Sequence, residues 1–93
     1  MLSFAWDKKK ARSNKQKHGI SFDEASTVFK DILSLTIYDP LHSDNEERFV
    51  IIGISCKNRL LTVVHTEREN NLRIISARKS TGRERAYYEN HGK

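Results

Sequence analysis

The chain has 93 residues, of which 31% are charged and 37% apolar, and a formal charge of +5. That length supports one modest core and no second lobe, so residues 1–93 are read as a single soluble α+β domain. No apolar run approaches the ~20 residues that span a bilayer. The start Met1-Leu2-Ser3-Phe4-Ala5-Trp6 lacks a signal-peptide layout, and the single Cys56 excludes an internal disulfide; a cytoplasmic protein away from membranes is expected.

In chain order, Leu2 to Trp6 reads as a short strand. Asp7 is placed to cap a helix running to about Lys17, which His18-Gly19 then stops. Ser21-Phe22-Asp23-Glu24 has the form of a capping box and opens a second helix with Phe22, Ala25, Val28 and Phe29 on one face. Leu33 to Tyr38 alternates loosely as a strand, and Asp39 to Asn45 reads as a polar loop. Arg48–Ile54, Leu60–Thr66 and Leu72–Arg78 are β-branched runs separated by five-residue loops, Ser55 to Arg59 and Glu67 to Asn71. Loops this short imply antiparallel neighbours. Thr81-Gly82-Arg83-Glu84 resembles another capping box, opening a last helix that ends near Asn90. The expected order is β-α-α-β-β-β-β-α, with helices packed on a mainly antiparallel sheet.

Charge is unevenly spread. Residues 7–17 hold six Lys/Arg against Asp7 alone, the middle of the chain is mildly acidic, and residues 78–93 are basic again. Basic ends around an acidic middle suit a polyanion meeting one side of the fold, although a solvated lysine-rich helix gives the same count.

The loop lengths place Ile54 opposite Leu60 and Thr66 opposite Leu72. Phe49, His65 and Arg73 then form one row across three strands, with Glu47 and Glu67 one pleat further on the same face. A slip of one residue would separate His65 from Arg73. As drawn, His65 with Glu47 or Glu67 supplies proton transfer, while Arg73, Arg68 and Arg48 supply positive field for a phosphorane. That chemistry cleaves RNA without a metal or cofactor. The competing reading is that His65 belongs to an ordinary salt-bridge network at a strand end. Arg78, Lys79, Arg83 and Arg85 form a second basic group at the start of the last helix, suited to holding phosphate. Tyr87 and Tyr88 are candidates for base stacking or for the core. His18, His42 and His91 have no metal-ligand spacing, and glycine-rich phosphate loops and G-x-S-x-G elbows are absent.

These residues also resemble a known family. Phe4-Ala5-Trp6-Asp7, Lys17-His18-Gly19-Ile20-Ser21-Phe22-Asp23-Glu24-Ala25, Glu47 to Gly53, Val64-His65-Thr66-Glu67, Arg73 to Lys79, Arg83-Glu84-Arg85 and Tyr88 are similar, in order and spacing, to the BrnT toxins of bacterial type II toxin-antitoxin systems. The resemblance implies a small ribonuclease toxin of RelE-like fold that blocks translation by cutting RNA. It also implies a ribbon-helix-helix antitoxin of the BrnA type, with operator DNA reached only through the toxin-antitoxin complex. Its motif positions here are His18, Arg48, His65, Glu67, Arg73, Ser76, Arg78 and Tyr88, whereas Arg68-Glu69-Asn70-Asn71 is a variable turn. The combined expectation is a catalytic group of His65, Glu67, Arg73 and Glu47, with RNA held by Arg48, Arg68, Arg78, Lys79, Arg83, Tyr88 and His18. Two alternatives stay open: a non-catalytic module that binds RNA or the ribosome, and an inactive homologue retained as a co-repressor subunit.

Overall fold

The computed structural model describes residues 3–40 and 46–91. Of the expected loop from Asp39 to Asn45, Asp39 ends the strand before it, and positions 41–45, with His42, lie outside the described residues.

Strand β1 (Ser3–Ala5) leads into helix α1 (Lys8–His18). The Asp7 carboxylate accepts the Lys9 and Lys10 amides at 2.8 and 3.2 Å, and Gly19, at φ 72°, ends the helix in the left-handed conformation. The second helix is shorter than its apolar spacing suggests. Helix α2 covers Phe22–Ser26 and tightens into a 3₁₀ turn over Thr27–Lys30. The hydroxyls of Ser26 and Thr27 donate back to the carbonyls of Asp23 and Glu24 at 2.7 and 2.6 Å, which competes with continuation of the α-helix. Phe22, Ala25 and Val28 still reach the core, and Phe29 packs at its margin.

Strands β2 (Leu35–Asp39), β3 (Arg48–Ile54), β4 (Leu60–Arg68) and β5 (Asn71–Lys79) form a sheet of order β1-β5-β4-β3-β2, in which only β1–β5 is parallel. Helix α3 (Gly82–Asn90) follows. Helices α1 and α2 lie against β5, and the core of Ile20, Phe22, Ala25, Val28, Ile51, Leu61, Val63, Ile74 and Ala77 fills that layer. The 3₁₀ turn sits so close to β3 that a Cβ on Gly53 would stand 3.2 Å from the Val28 carbonyl oxygen. Across the layer, the buried Asn14 of α1 donates to the carbonyls of Ile20 and Ala77 at 3.0 and 2.8 Å and accepts the Ala77 amide at 3.1 Å.

The β3–β4 pairing is as expected, with Ile54 opposite Leu60. The β4–β5 pairing is not. The chain reverses through a two-residue turn, Glu69 and Asn70, with Glu69 left-handed at φ 52°, so Thr66 faces Arg73 and Glu67 faces Leu72. A bulge follows: His65 pairs with Ile74 and Val64 with Ser76, leaving Ile75 between them without an opposite residue. Before the bulge Leu72 and Ile74 point to the core, and after it Ala77 does. Asn71, Arg73, Ser76 and Arg78 therefore share the opposite face, which even alternation would have split.

Helix α3 crosses that opposite face without burying a single residue. Polar contacts hold it. Glu84 completes the Thr81 capping box and also takes both guanidinium nitrogens of Arg78 at 2.7 and 2.8 Å and the Thr62 hydroxyl at 2.9 Å. At the far end the Tyr88 hydroxyl donates to Asp31 Oδ2 at 2.6 Å, and Asp31 in turn accepts the Ile54 amide at 2.8 Å.

Candidate active site

The register decides which polar groups meet. Phe49, His65 and Ile74 form one row on the face covered by α1 and α2, whereas Arg48, Thr66 and Arg73 form the adjacent row on the face that α3 crosses. The expected grouping of His65 with Arg73 is therefore corrected: the two-residue turn in place of a five-residue loop moves Arg73 away from the imidazole.

His65 is fully buried. Its ring lies edge-on to Phe29 at 4.9 Å and stacks on Phe49 at 5.8 Å. Nε2 stands 3.0 Å from Glu67 Oε2, and since a carboxylate only accepts, the neutral ring carries its proton there. Nδ1 is buried without a partner at hydrogen-bonding geometry, although the Val63 carbonyl is near enough to favour a proton on it. Glu67 is half-exposed and Glu47 exposed, both away from Arg73.

Burial lowers the His65 pKa from its ordinary 6.5 by more than Glu67 raises it. The unfolded chain thus takes up a proton that the folded chain refuses. Stability is intact above about pH 6.5 and falls as pH drops from there toward the lowered folded value. The melting temperature should decline between about pH 7.5 and pH 5.5, and His65→Leu should flatten that decline. A wild-type melting temperature that rises over the same interval would mean the imidazole is charged in the fold. At lower pH another group joins. Arg78 holds the Glu84 carboxyl down to about 2 from 4.5, so that pair stabilises the fold above 4.5 and is lost as pH falls toward 2.

On the opposite face, at the β4–β5 turn, lies an open cavity of about 340 Å³. Ala5, Glu46, Thr66, Arg68, Asn71, Leu72 and Arg73 line it. Arg68 Nη2 is 3.8 Å from Glu46 Oε2, a weak exposed pairing that leaves both groups able to turn toward a ligand. Arg73 is exposed, and Arg48 stands in the same row two strands away, about 10 Å at ~4.8 Å per strand. A carboxylate beside two guanidinium forks can accept a proton while charge builds on a phosphate. Glu46 lines this cavity but has no place in the group expected from sequence. Alternation back from Arg48 puts Glu46, not Glu47, on the Arg73 face, and the signal was legible once the face was right.

The remaining candidates separate. Arg78 shares this face but is engaged by Glu84, which raises its pKa. Lys79 and Arg83 are exposed near the start of α3, and His18 is exposed at the end of α1. The Tyr88 hydroxyl is committed to Asp31, and burial with that carboxylate pushes its pKa up to about 12, so the ring braces α3. Among the described residues, no three His, Cys, Asp or Glu side chains come together as a metal would require, and no helix is long and apolar enough to cross a membrane.

Comparison with known proteins adds three findings. Residues 6–84 match the model of a family described as the ribonuclease toxin, BrnT, of type II toxin-antitoxin systems. The fold is similar to the crystal structure of the Brucella abortus ribonuclease toxin BrnT, with a TM-score of 0.64 at 21% identity over 87% of this chain and 99% of that one. No curated protein sequence matches the chain.

Proposed function

This chain belongs to the BrnT family of ribonuclease toxins of type II toxin-antitoxin systems, and on that premise we propose that it is a metal-independent endoribonuclease whose site is the Glu46–Arg73 cavity. Glu46 takes the proton of a 2′-hydroxyl as its oxygen attacks the neighbouring phosphorus. Arg73 and Arg68 stabilise the phosphorane charge, and the departing 5′-oxygen takes a proton from water. The products are a 2′,3′-cyclic phosphate and a free 5′-hydroxyl. His65 and Glu67 act as scaffold in this reading, joining β4 to Phe29 and Phe49.

The observation that carries it is one carboxylate and two guanidinium groups lining one open cavity. The five-stranded, mainly antiparallel sheet with helices on both faces supports a RelE-like assignment. Cleavage of messenger RNA would block translation in the cytoplasm. Neutralisation falls to a ribbon-helix-helix antitoxin of the BrnA type, which covers the cationic face and through which alone the toxin reaches operator DNA.

Incubating the pure protein with RNA in EDTA tests the reading. Wild type should cut, Glu46→Gln should lose about 10²-fold or more, and Glu47→Gln should retain wild-type rates. Full activity in Glu46→Gln would remove the cavity from the mechanism, and no cutting by wild type in EDTA would sink the metal-free chemistry.

A further inference from the structure

Trp6, the one tryptophan of the chain, borders a second cavity of about 400 Å³ on the helix side of the β1 edge. Its indole meets the buried Phe22 edge-on at 6.0 Å, which holds the ring in place while leaving it half-buried. Arg12, Lys15 and Gln16 of α1 form another wall. Arg12 and Lys15 are three apart on the helix and share a face, and both are exposed. Among the described residues, Asp23 is the only carboxylate lining this cavity. Helix α1 carries six Lys/Arg and no acid, and among the described residues none of those cations forms a salt bridge.

Consecutive residues line the two cavities. Ala5 pairs with Arg73 and lines the first, and Trp6, the next residue, lines the second. The Asp7 carboxylate is close enough to feel the Arg73 charge, which brings the start of α1 beside that guanidinium. Arg73 and the cations of α1 thus stand on either side of the β1 edge, with the Asp7 carboxylate between them.

We propose that the Trp6 cavity is a subsite for single-stranded RNA beside the cut, with one base stacking on the indole and its phosphates engaging Arg12 and Lys15. The inference rests on the ribonuclease reading of the neighbouring cavity. A neutral base suits a slot with apolar walls, cations on one side and an acid on the other. Stacking accepts any base, so the subsite adds grip and direction without sequence preference. Duplex RNA offers no free base face and is excluded from the slot.

Because Trp6 is the sole indole, its fluorescence reports the site directly. Titrating the full chain with a 2′-O-methyl oligonucleotide, which the proposed chemistry cannot cut, should quench the emission to saturation. Salt should weaken the effect steeply, and Arg12→Ala/Lys15→Ala should raise the apparent Kd roughly tenfold or more. In cleavage assays the double variant should lose kcat/KM on a long single strand and keep it on a minimal RNA that spans only the first cavity. Absence of quenching while RNA binding is seen by anisotropy would overturn the proposal, as would an unchanged Kd in the double variant. Equal quenching by polyphosphate or by an acidic peptide would also overturn it, since no base is needed there. Quenching that persists while Glu46→Gln cuts normally would overturn the active-site reading and leave the subsite standing.

Discussion

Arg73→Ala is expected to lower RNA cleavage by about 10²-fold to 10³-fold, the usual loss when one preorganised donor to a developing oxyanion is removed. The guanidinium is exposed, lines the cavity with Glu46 and forms no salt bridge among the described residues, so its removal leaves the packing intact. The melting temperature should therefore stay close to wild type. Arg73→Lys should recover only part of the loss, because an ammonium restores the charge and not the fork that grips two phosphate oxygens. Single-turnover cleavage with all three proteins decides the matter. If Arg73→Ala cuts as fast as wild type, the phosphate is held elsewhere, and Arg78 beside α3 becomes the place to look.

The largest effect on stability is expected from Asn14→Ala. One side chain there satisfies two buried carbonyls and one buried amide, and two of those three groups belong to Ala77 of β5. Truncation strands them in the layer between α1 and the sheet, at about 1–3 kcal/mol for each unsatisfied group with partial relaxation, so a net loss of roughly 3 kcal/mol. For a domain of this size that lowers the melting temperature by roughly 12–24 °C. Asn14→Asp retains the acceptor for the Ala77 amide and loses both donors, and it should be at least as damaging near neutral pH. Thermal melts of the two variants at equal protein concentration provide the check. A drop of only a degree or two for Asn14→Ala would mean that water replaces the amide and that the joint contributes little.

Element by element, local chemistry was legible in the chain. Asp7, Gly19, Ser21 and Thr81 mark helix ends because capping depends on side chains within three residues of the boundary. The β3–β4 pairing followed for a similar reason, since the Ser55–Arg59 loop closes on itself through the Ser55 amide and the Arg59 carbonyl at 2.8 Å. The β4–β5 pairing did not follow. Glu67 and Arg68 resemble loop residues by composition, and nothing local announces that Glu69 will accept a positive φ and let the strands run to the turn. Nor does the doublet Ile74-Ile75 say which isoleucine fills the core, a choice made by Phe22, Val63 and the rest of the layer. The candidate site inherited that error. The grouping of Glu47, His65 and Glu67 with Arg73 rested on that pairing, and the observed pairing puts Arg73 in the row of Thr66 and Arg48 instead. Asn14 was invisible for a different reason: two of its three partners are backbone atoms of a strand 63 positions away, which leave no mark on side-chain pattern.

The unopposed Ile75 reconciles an odd spacing, five positions from Arg73 to Arg78, with a shared face. Deleting that one position, with every arginine retained, would let the strand pair evenly. Arg73 and Arg78 would then stand four positions apart and still project the same way, with Ile74 and Ala77 still turned to the core. Chains of this architecture should therefore tolerate loss of position 75 as well as exchange of its side chain, because the residue is surplus to the alternation. A frame-preserving deletion there should be far less harmful than losing the arginines.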